Sequence, residues 1–123
     1  MESMQKEIAK AFLQGVVTDK VREVYDLYTL PDFKHHNGFF SGDRESLLQG
    51  MIQSNEMFPN KKLTIKLAVA ESPYVTVFSH VQITEGKEAA VVHIYRFKGE
   101  KIAEMWDISQ EVSKDSPNKN GVF

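Results

Sequence analysis

An α+β fold is predicted, with three N-terminal helices packed on a curved antiparallel sheet to form a cone around an inner pocket. Three observations predict it. The first half of the chain carries apolar residues at helical spacing, and the second half alternates apolar and polar residues in four runs. One face of those runs also mixes apolar with ionisable side chains, which is the composition of a lined pocket. At 123 residues and 41% hydrophobic content the chain can bury one core, so a single domain over residues 1–123 is expected.

The helices come first. Ile8, Ala11, Phe12 and Val16 recur at helical spacing, Thr18 and Asp19 offer a new N-cap, and Val21, Val24, Tyr25 and Tyr28 continue a second stripe that Pro31 stops. FKHHNGFFSG reads as a loop. Asp43 then caps a third helix whose buried stripe is Leu47, Leu48, Met51, Ile52 and Phe58, ended by Pro59 and Asn60.

Four antiparallel strands are predicted from Leu63 to Glu71, Tyr74 to Thr84, Glu88 to Phe97 and Lys101 to Val112, with turns at Ser72-Pro73, Gly86-Lys87 and Gly99-Glu100. Strict alternation through those turns places Leu63, Ile65, Leu67, Val69, Phe78, His80, His93, Tyr95, Phe97, Glu104 and Trp106 on one inner face, with His80 opposite His93. The reverse face then holds Val75, Val77, Val81, Ile83, Val92, Ile94 and Met105. Such a set is too apolar for water, so a homodimer joined through this outer sheet face is expected.

Composition excludes several classes. The net charge of −2 is made of interspersed charges, which gives no surface for tracking nucleic-acid phosphates. With no cysteine there are no disulfides, thiol nucleophiles or thiolate metal sites. MESMQKEIAK has no apolar run of the signal-peptide kind and no segment is long enough to span a bilayer, so no membrane partner and a soluble cytoplasmic protein are expected.

FKHHNG, GEKIAEMWDISQ and NKNGVF resemble the His-Asn, Gly-Lys-Ile-x-Glu-x-Trp-Asp-x-x-Gln and Asn-Gly-x-Phe signatures of the SnoaL-like proteins, in order from Asp32 to Phe123. That resemblance implies the cystatin-like, nuclear transport factor 2-like fold and cofactor-free chemistry of the aldol-condensation or polyketide-cyclase type. It carries over His36 with Asn37, His80, Trp106 with Asp107, and Gln110. One position departs: His93 stands where relatives usually carry Asp. The Asn-Gly-x-Phe ending further implies that Phe123 anchors the tail.

Aldol-type chemistry needs a base to remove a proton α to a carbonyl and a donor for the oxyanion, and imidazole beside carboxylate supplies both near neutral pH. The expected acid–base residues are therefore His36, His80, Glu104 and Asp107. Alternation points Glu104 inward and Asp107 outward unless a β-bulge near Met105 re-aims Asp107. His93, Tyr95, Trp106, Phe40, Asn37 and Gln110 are expected to line the substrate pocket, and His35 to be a loop residue. Three classes result: a lyase or isomerase acting on a small apolar carbonyl compound, a binding module without chemistry, and a metalloprotein. The last is disfavoured because no His-x-His or His-x-x-x-His spacing occurs.

Overall fold

Helix α1 (Glu2–Val16) buries Ala9, Phe12, Leu13 and Val16, spaced to share one stripe. In this computed structural model, which describes residues 1–123, the stripe meets Val21, Val24 and Tyr25 of α2 (Val21–Tyr28). The two helices approach so closely that a Cβ on Gly15 would lie 2.4 Å from a Val24 methyl. Thr18 closes α1 instead of capping α2: its hydroxyl donates to the Gly15 carbonyl at 2.8 Å and accepts from the Lys20 amide at 3.1 Å. Asp43 does cap α3 (Arg44–Met57), accepting from the Ser46 amide at 2.9 Å.

The sheet holds one strand more than predicted. β1 (Thr29–His36) runs parallel to β5 (Lys101–Glu111), and the order continues through β4 (Lys87–Lys98), β3 (Tyr74–Thr84) and β2 (Lys62–Glu71), all antiparallel. Pro31 lies within β1 and has no N–H to donate. Pairing with β5 skips from Thr29 to Lys34, as expected of proline on an edge strand. Proline and the polar Asp32, Lys34 and His36 hide the strand from a periodicity reading, although Phe33 and His35 alternate inward and are buried.

Three β-bulges reset the faces. Pairing shifts by one residue between Ile65 and Leu67, between Gln82 and Thr84, and between Arg96 and Phe97. A shift of one residue sends everything beyond it to the other face. The observed β3–β4 register pairs Val77 with His93 and His80 with Ala90, so the expected His80–His93 pair does not form.

The two faces are accordingly reassigned. Val75, Val77, Val81 and Met105, expected to meet a second subunit, face the helices; Val75 and Val77 are fully buried. Ile83 lines the interior as well. Leu67 and Val69, expected inside, lie outside and are 52% and 57% exposed. Phe12 packs at 5.2 Å from Tyr25 and edge-on at 5.9 Å from Tyr95, which ties the helices to the middle of the sheet. On the outer face Phe123 lies 4.1 Å from the His80 ring and 6.1 Å from Phe78. No helix is long and apolar enough to cross a membrane.

Candidate functional site

Between the helices and the inner sheet face lies a cavity of about 320 Å³, with 17 of its 24 lining residues hydrophobic. The bulge in β5 decides its chemistry. Phe97 pairs with Ile102 but Arg96 pairs with Glu104, leaving Ala103 as the extra residue. Beyond it Met105 and Asp107 point inward, and Glu104 and Trp106 point outward. Of the two arrangements open from the sequence, the bulge is the one adopted.

Asp107 is directly opposite His93, and both line the cavity. The Asn37 side-chain amide donates to Asp107 Oδ2 at 3.1 Å. Its own oxygen accepts the Phe39 and Phe40 amides at 2.9 and 3.2 Å, so one asparagine fixes both the carboxylate and the loop that carries it. Phe40 lies against α3 where Gly50 leaves room; a Cβ there would come within 2.4 Å of the ring.

Burial governs the ionisation of this end. It lowers the pKa of His93 to about 4, against the pull of Asp107, so the imidazole is neutral at pH 7. The Tyr95 ring stacks on His93 at 5.8 Å, and burial raises its phenol well above the ordinary value, with smaller contributions from Tyr25 and Asp107. Tyr95 Oη and His93 Nδ1 are buried with no protein partner. Both are polar atoms whose hydrogen-bonding capacity the protein leaves unused.

His35 is the inward histidine of β1. It is 3% exposed, neither ring nitrogen has a partner, and its pKa is lowered by burial against the opposing charges of Asp107 and Asp43. Its Phe33-x-His35 spacing was the available sequence signal.

The other expected site residues lie on the opposite side of the sheet. His36 stacks on Trp106 at 5.0 Å and bonds Glu104 Oε2 at 2.6 Å, while the Arg96 guanidinium donates to Oε1 at 3.0 Å. The His36 bond, with Arg96 and Lys34 behind it, holds the Glu104 carboxyl below its ordinary pKa. His80 bonds Glu88 at 2.7 Å beneath Phe123, and Gln110 is exposed opposite Ala90. Asn37, Phe40, His93, Tyr95 and Asp107 remain at the cavity. Nowhere do three His, Asp or Glu side chains converge as a metal ion would require.

No protein-family profile matches the sequence, and no curated protein does. Solved structures do. A protein from Jannaschia sp. CCS1, provisionally described as a SnoaL-like polyketide cyclase, superposes with a TM-score of 0.73 at 16% identity over 89% of this chain and 87% of its own. This chain has the SnoaL-like fold. The same fold is seen in a provisionally described ketosteroid isomerase from Kribbella flavida, with a TM-score of 0.73 at 13% identity over 99% of this chain and 90% of that one. A cystatin-fold protein from Novosphingobium aromaticivorans matches with a TM-score of 0.70 at 23% identity over 85% and 97% of the two chains. The SnoaL-like fold accounts for the cone; the chemistry must be argued from its lining.

Proposed function

We propose that this chain is a cofactor-independent lyase or isomerase acting on a small, largely apolar carbonyl compound held in the cavity. The observation that carries the reading is the His93–Asp107 pair, set side by side on facing strands in a mostly apolar lining. Asp107 takes a proton from the carbon α to the carbonyl, with Asn37 orienting it through Oδ2. The resulting enolate oxygen accepts a hydrogen bond from the Tyr95 hydroxyl, which burial keeps protonated and which has no protein partner. Such a donor is strongest where water is excluded. Neutral His93 relays the proton from Asp107 to its new position, which is isomerisation, or the enolate carbon attacks a second carbonyl carbon and the alkoxide so formed takes the proton back from Asp107, which is aldol closure. His36, His80 and Glu104 serve the outer face in this reading.

Turnover of β,γ-unsaturated ketones and β-dicarbonyl compounds, followed by ultraviolet absorbance, tests it. Asp107→Asn is expected to lose on the order of 100-fold or more in rate, whereas His36→Ala and His80→Ala keep wild-type rates. An unchanged Asp107→Asn rate, or a comparable loss in His80→Ala, counts against the assignment. Ligand binding without turnover favours a binding module using the same cavity.

The outer sheet face remains our proposed homodimer surface, carried now by Ile94, Trp106, Ile108 and Val69, of which Ile108 is 63% exposed. Met105 has no part in it. Sedimentation of the wild type and of Ile94→Asp decides: a wild-type monomer rejects the dimer, and a dimer that Ile94→Asp dissociates supports it.

A further inference from the structure

The cavity has a second polar end that the His93–Asp107 chemistry leaves unused. Lys61 lines the cavity where it meets a shallow groove between the α1–α2 turn and α3. Its ammonium donates to Ser54 Oγ at 2.7 Å and Asn55 Oδ1 at 2.9 Å. Both acceptors are neutral, and an ammonium carries three protons, so one donor is unassigned. None of the ion pairs in the molecule includes Lys61; Asp19 and Glu56 border the groove outside without reaching it. Burial alone lowers its pKa from the ordinary lysine value, with no anion pulling the other way.

The position of this cation is set by the sheet. Register runs from Lys62 through Gln82 to Glu88, which brings the start of β2 level with the start of β4. Lys87, the first residue of β4, lines the cavity at the same level. At a rise of about 3.3 Å per residue, Lys87 stands roughly 20 Å along β4 from His93. Asp107, the one acidic residue of the lining, faces His93 at the other end.

We propose that the ligand is an amphipathic acid, its apolar body lying along the cavity and its carboxylate paired with Lys61 at the groove end. This deepens the proposed function by adding the ligand's charge, and rests on the cavity being the binding site. A partly desolvated ammonium held only by neutral oxygens gains most from an anion, since charge-assisted pairs are the stronger hydrogen bonds. The hydrophobic lining between the two ends selects for a body without further charge.

Calorimetric binding of 2-naphthylacetate and of its neutral amide, 2-naphthylacetamide, to the full chain separates the possibilities. The wild type is expected to bind the acid about tenfold more tightly than the amide. That preference falls to about one in Lys61→Gln and persists in Lys87→Gln. Equal wild-type affinities, or a preference that survives Lys61→Gln, overturns the inference while leaving the cavity reading intact. Failure of both compounds to bind overturns both. Should Lys61→Gln not fold, the wild-type ratio decides: near tenfold supports the pairing, near one refutes it.

Discussion

His93 makes the stability of this protein depend on pH in a way that can be worked out beforehand. In the folded chain its pKa is lowered to about 4, against an ordinary histidine value of 6.5. The unfolded chain therefore binds a proton between those limits that the folded chain refuses, and stability falls as pH is lowered through the window. A gap of about 2.5 units corresponds to about 3.4 kcal/mol in full, roughly three-quarters of it lost by pH 4.5 and almost none of it above pH 7. The side chain is largely buried, with its remaining surface facing the cavity, so solvent screening trims the figure without removing it. Urea unfolding of the wild type and His93→Gln at pH 7.5 and pH 4.5 gives four stabilities, and the double difference cancels the carboxylates that titrate in the same range. The wild type is expected to lose about 2.5 kcal/mol more than the variant on acidification. Parallel losses in the two proteins would mean that His93 is solvated, and the enclosed end of the cavity would go with it.

Two further outcomes are expected. Gly15→Ala forces a methyl into the Val24 side chain, with a Cβ 2.4 Å from Cγ1, and should cost about 1–3 kcal/mol in thermal or urea unfolding. Adding Val24→Ala in the same chain should recover part of the loss; no recovery would place the clash elsewhere. Phe123→Ala removes a ring that lies over His80 but is 44% exposed, so its cost should be about 1 kcal/mol or less; an unchanged urea midpoint would detach the tail from the sheet.

The helices were legible in the sequence because their signals are local. The Asp43 cap, the Pro31 stop and the stripe through Phe12 and Val16 each depend on residues within a few positions of one another. The strands were legible too, as runs of alternation, apart from β1, whose proline and alternate polar residues imitate a loop. Facing was not legible. It depends on the parity of every residue between a turn and the site, and three bulges intervene. One mark of the β5 bulge was present: Ile102 and Ala103 are consecutive and both buried, which strict alternation forbids. His35 escaped with β1, and Lys61 because it is defined by an acidic partner that it lacks, and a missing partner leaves no trace in a linear pattern.

The extra residue at Ala103 also bears on how such chains diverge. Pairing it into the ladder at unchanged chain length would leave the hairpin turn and the Phe97–Ile102 pair in place, yet would set Trp106 opposite His93 in place of Asp107 and bring Glu104 in place of Met105. Loss of this one bulge is thus a larger chemical change than most substitutions within the cavity, although it alters no residue. Two homologues aligned without a gap at this point can pair a buried carboxylate with a solvated one while scoring as conserved. Whether this strand bulges at Ala103 is itself an inherited character of the site.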